Sequence, residues 1–597
     1  VNGFGVLENL NIPGLIIDAK SNQVDVMGLQ ATLYLNGQEC DIREIQMLRP
    51  RDIEKIEYHD APSGKYAKDK LVVNFITKQY RYGGYVQADG LQTMGYDHGD
   101  YNVATNYVKG NNSYTVFAGA NYSHVDGTET WNNENYQFPQ SLFDRESYSK
   151  NSYRNHQEYM QFRYQNQKGK RYWVGKFTLL NLSTPRNASS GFARESTETD
   201  IFSNIRKKSL SPKIDLNANL PLSKNQTLTL GVHGKYSANS YHRLYQEQPF
   251  ETMTDEDEKA LSFQLSAIYN YFSQKHSLSV ELFHYHDVWN ADYSGNCELW
   301  QHLWKGESLA FFSYNFQASR RLSLKTRIGL DWLQYHLHGD NSFSQLSPRI
   351  NTNVQYQLNK GMLLWSFNFV NSNHGMDVIN RAMIQVNSHM MEKGMPELKK
   401  SHDINTYLYY MGRFNRLSVS AIGQFRYNHH PVTDDYYLDE ANGKIVKTYS
   451  NGGNAQYYSA ILALQYKLCK FANLSGDIRY NHAEVKTTWS KHNNNLTGNL
   501  GLNMFMGDFA LKPYLHFGKK SLDEAALVIS KTPIDYGMSC SYSRGNLYVE
   551  LQAVSPFKKQ EKQYWLDLPI YSYSKSIKDQ TASQYASIKV AYSFDFG

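Results

Sequence analysis

No stretch of this 597-residue chain holds eighteen consecutive apolar residues, and its mean hydropathy is -0.61. Bilayer-spanning helices are thereby excluded, because each needs about twenty predominantly apolar residues. Cysteine is scarce. Its four copies, Cys40, Cys297, Cys469 and Cys540, lie far apart with no CxxC spacing, which argues against a zinc site and leaves any disulfide unassigned. The chain is too long for one ordinary soluble domain, yet no linker rich in Pro, Gly or Ser divides it. A net charge of +6 is small for this length, and the basic residues are scattered without aromatic-basic platforms, so nucleic acid is not an expected partner. HExxH, GxSxG, a P-loop and paired acids at a catalytic spacing are all missing, and nothing in the sequence points to an enzyme or a cofactor.

Tyrosine, by contrast, is abundant: 47 copies bring the aromatic content to 14%. From Tyr82 onward, apolar and polar residues alternate in successive runs, the period of a sheet with two different faces. Tyr114, Val116, Ala118, Ala120 and Tyr122 share one face against Ser113, Thr115, Gly119, Asn121 and Ser123. The final run is the cleanest, with Ala586, Ile588, Val590, Tyr592, Phe594 and Phe596 opposing Ser587, Lys589, Ser593 and Asp595. An apolar stripe ending in aromatic rings suits a strand that faces lipid, because such rings settle at the headgroup level.

Runs of this kind begin near Tyr82, Asp100, Ser113, Glu158, Arg171, Ser209, Gln226, Glu258, His276, Glu307 and Leu322. Eleven more begin near Phe343, Met362, Ser401, Asn415, Gln456, Phe471, Asn494, Asp508, Ile534, Leu547 and Gln584. The total, about twenty-two, is even and matches the size of plugged outer-membrane transporters. Short connections such as Lys109 to Asn112 and Gln167 to Lys170 alternate with long ones, His124 to Gln157, Thr184 to Lys208 and Asn371 to Lys400. That alternation puts the long loops on the outside if the first strand rises from the periplasm.

The first eighty residues are different. Thr32 to Leu35 is a β-rich run closed by Asn36-Gly37, a dipeptide that tolerates the positive φ of a tight turn. Ile42, Ile45 and Leu48 recur at three-residue spacing and predict a short helix stopped by Pro50. Asp52-Ile53-Glu54-Lys55-Ile56-Glu57-Tyr58 follows, then a Pro62-Ser63-Gly64 turn with Tyr66 beyond it, then the strand Val72-Val73-Asn74-Phe75-Ile76 ending in Thr77-Lys78. This order resembles the second half of the plug domain of TonB-dependent outer-membrane receptors, with its "L-NG" hairpin, "DI-IE" segment, "P-S-Y" turn and "V-N-ITK" strand. Leu7 to Leu15 is similar to the "LPG" opening of Bacteroidetes-type members. Ser344 to Ile350 resembles the family's "LSPR" segment, and Gly394 to Ser401 its "GNPxLKPExS" segment. The family's Gly-Gly before the last plug strand is here Asp69-Lys70-Leu71, and no TonB box is visible because the sequence begins almost at the plug; the numbering is expected to start after a removed or unseen N-terminal segment.

Several side-chain groupings carry more than one reading. Asp52, Glu54 and Glu57 would hold the plug to charged lumen residues such as Lys235, Lys325, Arg327, Lys589 and Glu550, rather than form a metal or catalytic cluster. His284, His286, His336 and His338 share a parity that points them outward, against a metal-ligand role. Met376, Met383, Met390, Met391 and Met395, with His374 and His389, include soft metal ligands, but Ile379, Met383 and Val386 at helical spacing favour apolar packing. Trp131, Asn132, Asn133, Asn135 and Tyr136 form an external surface suited to a sugar or peptide, or simply a solvated loop.

The expected architecture is therefore an all-β membrane protein: a transmembrane barrel over 81–597 enclosing a small α/β plug over 1–80. By resemblance it would take up a scarce solute, with TonB, a surface lipoprotein, outer-membrane lipid and lipopolysaccharide as partners. The alternative is a receptor-fold subunit of an assembly or secretion complex that no longer transports.

Overall fold

The computed structural model describes residues 2–9, 15–17, 23–26, 29–59, 71–78, 82–138, 141–340, 342–372, 375–579 and 583–596. Twenty-two antiparallel strands close into a barrel from Tyr82–Met94 to Tyr585–Phe596, and these two pair with each other along Phe596↔Gly84 to Ala586↔Met94. The apolar stripes face outward: Ile588, Val590, Tyr592, Phe594 and Phe596 of the last strand are all exposed, whereas Ser587 and Ser593 are buried.

Strands rising from the periplasmic turns start within two residues of the expected positions. Of the descending strands, four start well before their expected positions. Those expected near Glu158, Ser209, Glu258 and Glu307 begin instead at Ser141, Glu198, Phe250 and Leu299. Most of the described residues of His124 to Gln157 and Thr184 to Lys208 are consequently not loops but β-structure standing above the membrane. Asn112–Phe138 and Ser141–Lys168 run for 27 and 28 residues, while Phe509–His516 and Leu547–Val554 have 8 each. Their polar composition hid the strands, because no lipid enforces alternation there.

The described residues before the first barrel strand lie within the barrel. A sheet in the order Gln38–Glu39, Thr32–Leu35, Val72–Thr77, Ile53–His59 carries the helix Ile42–Gln46. Asn36 and Gly37 take φ of 51° and 78°, the paired left-handed turn that suits the twist of a two-residue hairpin. Gly37→Ala is expected to weaken this unit by about 1 kcal/mol, the cost of a Cβ in that region. Faster hydrogen exchange across Val72–Thr77 would register it, and unchanged exchange would contradict it. Phe4, Leu7, Val24, Leu33, Ile45, Leu48, Val73 and Phe75 form the core of the unit. That core is continuous with lumen-facing Met362, Leu364, Tyr407, Tyr409, Ile422 and Ile461 of the wall.

Candidate functional site: a plug with two unlike sides beneath a lidded mouth

The side of the plug away from that apolar wall is held by charge. Glu44, 1% exposed, reaches Arg163 at 3.1 Å and Lys176 at 3.4 Å, and accepts from the Asp41 N–H at 3.0 Å. Asp41 accepts from Tyr159 and Gln161, both at 3.3 Å, and Arg43 lies over the Tyr159 ring. Further round, Arg49 and Arg51 both bind Asp595 of the closing strand, and Arg49 covers the Tyr85 ring at 3.6 Å. Cys40 sits beside this cluster; burial, and then Glu44, push its thiol well above the ordinary range.

Burial pushes the Glu44 carboxyl up, but Lys176 and Arg163 more than reverse this and hold it below the ordinary 4.5. A carboxylate depressed in the docked state stabilises docking above its undocked pKa, and that contribution fades as pH falls through the docked value. Plug docking is therefore expected to be flat above about pH 4.5 and to weaken below it. Exposure of the Cys40 thiol as a function of pH checks this; loosening at alkaline pH instead would contradict it.

The mouth is closed by a second device. Met383–Gln385 and Met390–Lys393 join Lys444–Ser450 and Thr433–Asp439 in a four-stranded sheet that belongs to two external loops. Preceding it, Met376, Ile379 and Ala382 pack on Ala291, Leu303 and Leu337 of one wall. At the tall wall, Arg243 donates to the carbonyl oxygens of Gln385 at 2.8 Å and Val386 at 2.5 Å. Arg145, 3% exposed, donates to Glu247 at 2.5 Å and to Tyr245 at 3.0 Å, and pairs with Glu195 at 3.2 Å and Glu134 at 3.5 Å. Burial pulls the guanidinium's pKa down, and Tyr245, Glu247 and Glu134 more than restore it. Ser388 donates to Glu247, and His389 meets Glu195 at 3.0 Å, so the lid ends in the same network. At its far end Lys400 pairs with Asp331 at 3.1 Å, where Arg349 also binds at 2.6 Å; both partners of the Lys400 pair are fully buried.

Between plug and C-terminal wall runs a cavity of about 1,120 Å³, lined by Leu15 and Ile17 of the plug and by Tyr457, Arg479, Asn481 and Asn495 of the wall. Arg479 also faces Asp25 of the plug at 3.9 Å.

No protein-family profile matches the chain, and no curated protein matches it. Solved structures do match. The copper transporter OprC gives a TM-score of 0.65 at 11% identity, over 99% of this chain and 95% of its own. The ferric yersiniabactin uptake receptor FyuA from Yersinia pestis gives 0.62 at 10%, covering 98% and 94%. FpvA from P. aeruginosa, solved with heterologous pyoverdines and iron, gives 0.61 at 10%, covering 98% and 83%. The fold is that of a plugged outer-membrane receptor. A closed even-stranded barrel with an apolar outer belt belongs in a Gram-negative outer membrane.

Within this receptor fold the plug motif is mostly scaffold. Asn36 donates to the Thr77 hydroxyl and accepts from its N–H, both at 2.9 Å, while Asn74 accepts from the Gly37 N–H at 2.9 Å and donates to Glu57 at 2.8 Å. Lys78 N–H bonds the Asp52 carbonyl, and Ile53 and Ile56 pack on the core. Pro62, Ser63 and Tyr66 lie outside the described residues. The expected pairing of Asp52, Glu54 and Glu57 with the lumen is corrected. Asp52 binds Arg49 in its own turn, Glu57 binds Lys55, and Glu54 is exposed. Arg327 binds Glu281, and Lys589 stands opposite Glu550, all within the wall. Among the groups that do cross to the wall, Asp41, Arg43, Glu44, Arg49 and Arg51 are the charged residues among the apolar ones of the predicted helix and beside Pro50.

Tyr136 is not an external surface but fully buried, donating to Glu134 at 3.0 Å. Ile379 ends a one-turn helix and Met383 opens a strand, so the helical spacing expected there stops short, although Met376 and Met390 do pack as apolar residues. His284 bonds Ser308, His286 stacks on Phe263, His336 bonds Ser342 and His338 packs on Trp300. Among the described residues, no three His, Cys, Asp or Glu side chains come together in a metal-holding group.

Proposed function

We propose that the chain is a TonB-dependent-type outer-membrane receptor, of the Bacteroidetes-type branch by its opening motif, with residues 1–80 as plug domain and 81–597 as barrel. It captures a scarce solute at the lidded mouth and admits it when the plug is displaced. The observation that carries this reading is the asymmetry of the plug. Its charged side makes directional contacts that water can replace one at a time, whereas the side on Leu364 and Tyr409 is apolar and continuous with the plug core. A periplasmic pull then opens the charged side first and leaves the plug attached to the apolar wall. The similar structures bear the names of copper and siderophore uptake proteins, and uptake is the function their shared fold supports best here.

Gentle detergent extraction from the native outer membrane, with mass spectrometry of whatever travels along, tests this reading. Recovery alone, with TonB, or with a solute-capturing surface lipoprotein is the expected result. Recovery in fixed ratio with barrel-insertion or secretion components would make the chain a non-transporting subunit.

A further inference from the structure

On the outer face of the tall sector, positive charge gathers where the apolar belt ends. Met160, Phe177, Leu210, Ile214, Tyr236 and Leu261 are exposed and mark the belt on neighbouring strands. Counting upward with the same parity from Leu210 reaches Lys208 and then Arg206, both exposed and roughly 7 and 14 Å along the strand. Arg154 stands directly opposite Arg186 on the next strand, and a register irregularity between Thr184 and Asn187 sets Arg186 beside Arg206. Arg206 in turn faces His242.

Like charges side by side across a sheet are unfavourable unless an anion lies between them. The nearby carboxylates serve the flanks. Asp126 takes both Arg154 nitrogens at 2.9 and 2.7 Å, Asp255 takes His242, and Glu158 accepts from Asn181. Asp257 lies opposite Ser240, beyond Lys208. Among the described residues, no carboxylate forms an ion pair with Arg186, Arg206 or Lys208. This row sits at the height of the outer-leaflet headgroups.

A second feature lies above it on the same face. Trp131, 38% exposed, packs against Tyr148 at 4.4 Å and Phe192 at 6.4 Å between ring centroids, roughly 17 Å further up the strand than Asp126. An aromatic platform above a cationic row matches a molecule with phosphates at the membrane surface and sugar rings above them. We propose that this face binds a phosphorylated glycolipid of the outer leaflet, with Arg186, Arg206 and Lys208 on its phosphates and Trp131 against its sugars. Such a lipid neutralises the arginine row and braces the tall strands that carry the Arg145 network.

The test compares glycolipid retained by the full chain after detergent purification, measured by native mass spectrometry, with that retained by an Arg186→Gln/Arg206→Gln variant. Retention is expected to fall about 30-fold, about fivefold for each cation removed from the surface. Lys470→Gln, which removes one positive charge at an exposed turn of the opposite rim, should retain as much as the native chain. Trp131→Ala should lower retention of the glycolipid but not of a phosphorylated diacyl lipid. Heat-modifiable gel mobility verifies that each barrel is folded. Equal retention by the native and double-variant chains would overturn the proposal, as would an equal loss in Lys470→Gln. Displacement of the lipid by millimolar inorganic phosphate would assign the row to free phosphate and overturn the glycolipid as occupant.

Discussion

Replacing Arg145 with alanine is expected to detach the lid from the tall wall. Three carboxylates, Glu134, Glu195 and Glu247, converge on this guanidinium, and Glu134 and Glu247 are themselves buried. Removing the cation leaves those anions without a counter-charge, a loss of about 3–5 kcal/mol for a buried pair broken from one side. Ser388 and His389 hang from Glu247 and Glu195, so the disturbance passes directly to the strand Met390–Lys393. Hydrogen exchange over Met383–Lys393 should accelerate by about a hundredfold or more, while exchange in the plug sheet stays the same. Arg145→Lys should fall between, since the charge remains but the planar fork that serves several acceptors does not. Unchanged protection of the lid in Arg145→Ala would show that its apolar contacts alone hold it.

Glu44→Ala acts on the other closure. The substitution leaves Arg163 and Lys176, both nearly buried, facing each other across the space their shared carboxylate occupied. The expected loss is again about 3–5 kcal/mol, now in docking of the plug rather than in the barrel. In a urea titration the exposure of Cys40 should move to lower concentration by roughly 3–5 M, given a slope near 1 kcal/mol/M for a unit of this size. Heat-modifiable mobility of the barrel should not change. Glu44→Gln, which keeps one acceptor, should lose less. If the midpoint stays where it is, the charged side does not hold the plug.

The barrel was legible because lipid imposes a strict alternation on each spanning segment, and short turns such as Lys109 to Asn112 separate the segments. Where lipid ends, the alternation ends, so the upper parts of Ser141–Lys168 and Glu198–Ser223 read as loops although backbone pairing continues. The plug hairpin was legible through Asn36-Gly37, whose backbone requirement is local. Its wall contacts were not, because they depend on which lumen residues the closed barrel brings opposite the helix Ile42–Gln46. The segments Ser344 to Ile350 and Gly394 to Ser401 are legible in the sequence only as resemblances. Their meeting at Asp331, through Arg349 and Lys400, depends on the lid folding back into the lumen. Tyr136 misled for a related reason, since an asparagine-rich neighbourhood gives no sign that a lid will cover it.

The central claim is that the plug opens along its charged side while its apolar side stays attached. The direct measurement is thiol labelling in rising urea on chains in which Cys297, Cys469 and Cys540 are serine, comparing native Cys40 with Leu364→Cys on a Cys40→Ser background. Cys40 directly precedes Asp41 of the charged side, at the edge of the plug core, and Leu364 is fully buried where that core meets the apolar wall. Labelling of Cys40 at a lower urea concentration than Leu364→Cys is the predicted result; simultaneous labelling, or Leu364→Cys first, would contradict the account.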